Sequence, residues 1–483
     1  MGWTVDSLTY DNRKKITVSN TNIDGDLADF PLLVKLVADT DIGGISNADG
    51  FDIRFTQDDG ETLLYYERES FAIASGDATG QFWVRTNLLT ASTTDIYIYY
   101  RAIDTADGAD IANTWESNYK AVHHFNEASG NIIDATSNDC DGAETGTNPT
   151  YNQTGKISTT SGMVFNGGYF NLGDHVALNI TDDITIEMII YPTSVSARRN
   201  PYNKAYGGEG TITQETDGDL VFFCGNNGGD SGDGSSYEWV RTTTPMTVSN
   251  WYYKAVRRDE SGNEMKWFTQ GAPDGTDSSY TLTTVAGSNS VLIGDGYVSA
   301  WLGTMDEIRV SAFKRPDEYF KFVYSNIWSA DNELTFSADE LSDTTKIYTK
   351  ESKAVLPTDT DDLATAFITS EITAVASDDS SYATVTSAGV YSIGQFKNTS
   401  SLTQTGASFL ATWNGNAEQD PSASPVYLQL YNWTTDTWIT FDENDSASTG
   451  SDFMLTGSAI GTDVHDYVSG SGWVSWRVYQ QAL

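Results

Sequence analysis

The chain has 483 residues, with 27 Lys plus Arg against 67 Asp plus Glu, a formal net charge of −40. That charge repels nucleic-acid phosphate and excludes a DNA- or RNA-binding role, and no run of about 18 apolar residues is present to span a membrane as a helix. The length predicts two to four domains, and 12% aromatic residues with 42 Gly against 10 Pro fit many short strands joined by turns.

Residues 1–115 break into strand-sized runs (KKITVSN, FPLLVKLV, FDIRFTQ, LLYYERESF, QFWVRTNLL and DIYIYYR) separated by turn clusters such as DGD and DDGE. Alternation in DIYIYY sets Ile96, Ile98 and Tyr100 on one face. Residues 116–330 form a second β domain. There DITIEMIIYPTS places Ile184, Ile186 and Met188 on one face and Thr185, Glu187 and Ile189 on the other. Glu187, alone among Ile and Met, reads as an outward or edge carboxylate. CGNNGGDSGDGSS is a long polar loop, and KRPDEYFKFVYSN reads as a helical turn. Residues 331–354, polar and acid-rich, read as a linker. Residues 355–483 return to strand patterning, with NWTTDTW as a hairpin tip, and read as a jelly-roll or immunoglobulin-like sandwich. The fold class predicted is all-β, two to three β-sandwich (jelly-roll) domains in series.

The phrases YKAVHHFNEASGNIIDATSNDCDG, MVFNGGYFNLG, ITIEMIIYPTS and GTMDEIRVSAFKRPDEYFKF occur in that order between Tyr119 and Phe322. In this order they resemble the laminin-G-like branch of the concanavalin A-like lectin fold. The runs DFPLLVKL, ADGFDIRFT, DGETLLYYERE and QFWVRTNLL resemble a poorly characterised β-module that precedes such domains in bacterial and phage surface proteins.

Hydrolysis on a concanavalin-like fold needs paired carboxylates on one strand, and no Glu-x-Asp-x-x-Glu pattern occurs on a strand of the central domain. His123 and His124 are neighbours on a strand, so they point to opposite faces and do not chelate one ion together. No zinc pattern, nucleophile elbow or phosphate-binding Gly-Lys-Ser loop is present. Cys140 and Cys224 read as two free thiols rather than a disulfide framework. The resemblance implies a structural Ca²⁺ between the first and last strands of the central sandwich, held by Glu127 and Asp306 with Asp134 as a further ligand; oxygen donors suit that ion. Sugar binding calls for exposed rings, and the candidates are Tyr237, Trp239 and Trp301 in the central domain and Trp433 and Trp438 at the C-terminal hairpin.

The expectation is a non-catalytic structural or adhesive protein of a virion, such as a phage tail fibre, spike or capsid decoration, that presents lectin-like domains to a surface glycan or receptor. Its partners would be other virion proteins and copies of itself, trimers being common among such fibres. Trp3 and the first strand follow Met1 with no basic and apolar leader, which fits synthesis in a host cytoplasm and display on the virion surface. The alternatives are a bacterial cell-surface adhesin or carbohydrate-binding protein and, more weakly, a polysaccharide-degrading enzyme.

Overall fold

The computed structural model describes residues 3–10, 12–101, 105–147, 149–229, 236–341, 346–350, 365–366, 391–397, 408–468 and 473–480. The fold is almost entirely β. The chain divides into two compact units, one spanning 14–338 and the other formed by 1–13 with 339–483.

The unit 14–338 contains two sandwiches. In the N-terminal one, the sheet Leu27–Asp39, Asp77–Leu88, Tyr66–Ala74 faces a second sheet containing Asn12–Val18, Thr94–Tyr100 and Arg54–Gln57. Period-2 patterning drives the association: Ile96, Ile98 and Tyr100 are all fully buried, as are Leu32, Val34, Phe82 and Val84. The last strand of this sandwich arrives from far along the chain. Leu334–Phe336 pairs antiparallel with Asn12–Val18, setting Leu334 opposite Val18 and Phe336 opposite Ile16. The stretch read as a linker is therefore partly strand, at Leu334–Phe336 and again at Lys346–Lys350. The apolar Leu334 is drawn into the core under the open edge of Asn12–Val18.

The central sandwich has a front sheet in the order Ala143–Gly146, Gly168–Gly173, Val291–Ile293, Arg199–Ala205, Gly210–Gln214, Leu220–Gly225, Tyr237–Arg241. Its back sheet runs Thr150–Gln153, Gly162–Asn166, Leu302–Ser311, Ile184–Pro192, Tyr252–Asp259, Glu264–Thr269, Ala272–Asp277, with Tyr119–His123 also on Leu302–Ser311. Ile184, Ile186, Met188 and Ile190 point into the core between the sheets. The opposite face, Thr185, Glu187 and Ile189, is buried as well. Glu187 is thus not an outward carboxylate, because the helix Asp317–Trp328 and the N-terminal sandwich cover that side of the back sheet. The expected helical turn is a 12-residue helix, with Asp317 and Glu318 in its first turn where the helix dipole favours acids.

In the other unit, six strands form one sheet in the order Thr365–Ala366, Lys346–Lys350, Tyr391–Lys397, Trp473–Gln480, Val426–Asn432, Thr437–Asn444, and Ser408–Gly415 pairs with Phe453–Ile460. Val426, Leu428, Leu455 and Val478 share its core. Asn432 and Thr437 close the predicted hairpin, where the Asn432 side-chain Oδ1 accepts from the amides of Thr434 (3.0 Å) and Thr435 (2.9 Å).

Candidate functional site

Four neighbouring strands of the front sheet turn one set of side chains into the core and the other set outward. Tyr202, Ile212, Leu220, Phe222, Cys224 and Val240 fill the core. The alternate positions align across the strands as Asn203–Thr211–Phe223–Trp239, flanked by Thr213–Val221–Arg241 and by Tyr237 opposite Gly225. None of these outward residues is a carboxylate.

Two loops add rings to this face. Tyr206 follows the strand Arg199–Ala205 and lies on Phe223, with ring centroids 4.5 Å apart. Its hydroxyl lies 2.7 Å from the Thr213 hydroxyl and accepts from the Arg198 guanidinium at 3.1 Å, while Arg198 Nε donates to Glu215 at 3.0 Å. Burial pushes the Tyr206 phenol above its ordinary pKa, so it stays neutral at physiological pH. Tyr297 packs edge-on against Tyr206 at 5.4 Å, and Tyr237 does so against Phe223 at 5.7 Å. Tyr206 and Phe223 are almost wholly buried beneath the patch, whereas Trp239 is 52% and Tyr297 61% exposed. The result is two open rings on one face, Tyr297 edge-on against the buried Tyr206 and Trp239 opposite Phe223 across the strands. Open rings suit stacking on a flat, partly apolar ligand.

Of the residues singled out in the sequence, Tyr237 and Trp239 belong to this patch. Trp301 does not. Its indole is fully buried, donates to Gln214 Oε1 at 3.3 Å and packs edge-on against Phe165 at 6.2 Å. Gly303, at φ +155°, leaves room for it, since a Cβ there would fall 2.5 Å from the indole. Trp301 is therefore core rather than a sugar platform. Trp433 and Trp438, in the other unit, are half-buried edge-on against Tyr431 at 4.9 and 5.3 Å, and the Arg477 guanidinium lies over Trp438 at 4.5 Å. They pack around Tyr431 at the base of the hairpin. Sequence reasoning missed Tyr206, Phe223 and Tyr297. Tyr297 lies in GDGYVS, where a ring flanked by turn residues was the available signal.

The three acids proposed for Ca²⁺ serve separate turns. Asp134 accepts from the amides of Val122 (2.9 Å), Thr136 (3.0 Å) and Cys140 (2.9 Å) and from the Thr136 hydroxyl (2.7 Å). Glu127 accepts from the Ile133 amide at 2.7 Å, and burial raises its pKa. Asp306 occupies a register shift between Leu302–Ser311 and Ile184–Pro192, and its Oδ2 accepts from the amides of Lys156 and Ile157, the latter at 2.5 Å. Burial pushes the Asp306 carboxyl up to about 7. Among the described residues no group of three or more His, Cys, Asp or Glu side chains converges to hold a metal ion, so these acids do not fit a calcium site as arranged. Cys140 and Cys224 are both free and buried.

Residues 165–318 match the concanavalin A-like lectin/glucanases superfamily, and residues 49–140 match a domain of unknown function, DUF2341. No curated protein matches the chain. Among solved structures, domain 4 of AbnA, a GH43 extracellular arabinanase from Geobacillus stearothermophilus in complex with arabinotriose, is 15% identical, with a TM-score of 0.33 over 42% of this chain and 97% of that one. The Ruminococcus gnavus IT-sialidase CBM40 bound to alpha2,3 sialyllactose is 15% identical, with a TM-score of 0.29 over 34% and 96%. The botulinum neurotoxin type G receptor binding domain is 9% identical, with a TM-score of 0.32 over 49% and 57%. The central sandwich is therefore similar to the concanavalin A-like lectin/glucanases superfamily over residues 165–318, behind an N-terminal segment that matches a family without an assigned function.

Proposed function

We propose that this protein is a non-catalytic glycan- or receptor-binding component of a surface, and that its ligand stacks on Trp239 and Tyr297. The observation that carries this reading is the exposed aromatic patch on the outer face of the front sheet. The absence of carboxylates among the outward residues of its four strands argues against hydrolysis there, since both retaining and inverting mechanisms need two facing acids. Charge narrows the ligand to neutral sugars. Arg198 is paired with Glu215, and Arg241 with Asp217 and Asp219. Neither guanidinium is left to receive an anionic glycan, and the net charge of −40 repels one.

The test is binding of the full chain to neutral oligosaccharides and to sialylated or sulfated counterparts. Trp239→Ala and Tyr297→Ala should each lower affinity for the neutral ligand at least tenfold while leaving the melting temperature unchanged. Undiminished binding by both variants would move the site elsewhere. Loss of polymer viscosity on incubation would revive the enzyme reading.

The biological setting we propose is the surface of a virion, as a tail fibre, spike or capsid decoration, assembled as a homo-oligomer. It rests on the order of the modules, which resembles that of bacterial and phage surface proteins, and on the acidic, binding-type surface. Mass spectrometry of banded particles and of washed cell envelopes tests it, and enrichment in envelopes would replace the virion with a cell-surface adhesin.

A further inference from the structure

A charged cluster is sealed between the N-terminal sandwich and the back sheet. His124, at the end of Tyr119–His123, stacks on Trp83 with ring centroids 6.0 Å apart. Its Nδ1 lies 2.8 Å from Glu307 Oε2 on the back sheet, and its Nε2 lies 3.2 Å from Glu67 Oε2 on the N-terminal sandwich. Glu67 also accepts from Trp115 Nε1 at 2.7 Å, and Glu69 accepts from Trp83 Nε1 at 2.8 Å. Arg309 donates to Glu307 at 2.8 Å and lies 4.3 Å over the Trp83 ring. Glu187 closes the far side, accepting from Tyr253 at 2.7 Å and Tyr319 at 3.0 Å, and Arg315 donates to Glu116 at 2.6 Å. His124, Glu67, Glu307 and Arg309 are all at least nine-tenths buried.

We propose that the N-terminal sandwich is the obligate cover of the lectin-like sandwich's back sheet, and that the His124 imidazolium, bridging Glu67 and Glu307, is the latch joining them. Two further observations point the same way. The helix Asp317–Trp328 stacks Phe320 on Phe268 of the back sheet at 3.9 Å and presents Phe322 to Phe30 of the N-terminal sandwich at 5.3 Å. The strand Leu334–Phe336 then completes an N-terminal sheet from beyond the central domain. Neither sandwich has a full set of strands and cover on its own.

The latch is sensitive to alkali. The charges facing it are Glu67 and Glu69 from Tyr66–Ala74, Lys35 from Leu27–Asp39, Asp306, Glu307 and Arg309 from Leu302–Ser311, Glu187 from Ile184–Pro192, with Lys156, Glu116, Arg315, Glu127 and His123 at its margins. The carboxylates hold His124 well above its ordinary pKa even though burial opposes the charge. Burial pushes Glu69 up to about 8. Both groups therefore bind protons more tightly folded than unfolded. Their contribution is complete at low pH and is lost as pH rises, for Glu69 up to about 8 and for His124 beyond its ordinary value. Glu307, held low by His124 and Arg309 against its burial, opposes this only in acid.

Differential scanning calorimetry of the full chain from about pH 6 to pH 9 is the test. The two sandwiches should melt in one transition whose temperature falls as pH rises. His124→Gln should lower that temperature by roughly 5–10 °C. Glu69→Gln, which removes the acid that resists ionisation, should fold as well and flatten the alkaline decline. Two separate transitions for the sandwiches, or a Glu69→Gln profile as steep as the parent's, would overturn the latch.

Discussion

Trp239 and Trp301 belong to the same sandwich and meet opposite fates, and the difference lies in which face of a strand or turn their Cβ leaves. Trp301 fills the space beside Phe165, and removing it leaves a cavity that the flanking strands hold open. Trp301→Ala should cost about 3–5 kcal/mol in a urea melt of the full chain. Trp239→Ala removes a ring that is 52% exposed and should stay within roughly 0.5 kcal/mol of the parent. Equal costs for the two would mean that Trp239 is part of the packing and would weaken the binding patch. Nothing in the sequence marks Trp301 as buried, because it falls between the strands Ser299–Ala300 and Leu302–Ser311, where no alternation reports burial. Tyr237 and Trp239 were legible from a strand pattern beside a Gly-rich loop. Tyr206 and Tyr297 come from loops, where no period exists to read.

At the scale of elements, period 2 is a faithful guide to faces but not to what covers them. Ile184, Ile186 and Met188 are buried as their spacing predicts, yet Thr185, Glu187 and Ile189 are buried too, beneath the helix Asp317–Trp328. That helix was legible only as a turn. Its apolar face is split between two partners, so no single stripe announces one core. Its docking residue is Asn326, which inserts an amide against the strand Leu27–Asp39: Oδ1 accepts from the Leu33 amide at 2.8 Å, and Nδ2 donates to the carbonyls of Leu33 at 3.1 Å and Asn332 at 2.7 Å. Asn326→Asp replaces two donated bonds by a buried carboxylate facing two carbonyls. It should destabilise the unit 14–338 by about 3–5 kcal/mol in chemical denaturation, with the larger loss above the carboxylate's pKa. A loss under about 1 kcal/mol would mean that the helix is held by its aromatic contacts alone.

At the scale of the whole molecule, 67 acidic residues face 27 basic ones, so even if every base paired one to one, as Arg85 does with Asp29 and Lys321 with Asp24, most carboxylates would lack a cation. Self-repulsion of this kind acts over the Debye length, which shrinks from roughly 10 Å at 0.1 M salt to 3 Å at 1 M. The melting temperature of the full chain should therefore rise with added NaCl across that range. The buried latch around His124 should change little, because solvent ions do not reach it. Divalent cations separate general screening from a built site. At matched ionic strength, Ca²⁺ and Mg²⁺ should raise the melting temperature equally, since Glu127, Asp134 and Asp306 each bond to backbone amides of different turns and present no shared cage. A rise that Ca²⁺ alone produces, saturating at low concentration and reversed by chelator, would mean that these carboxylates rearrange to take the ion and would restore the calcium expectation. The two cations differ in the ligand geometry they accept rather than in charge, so the comparison measures geometry directly.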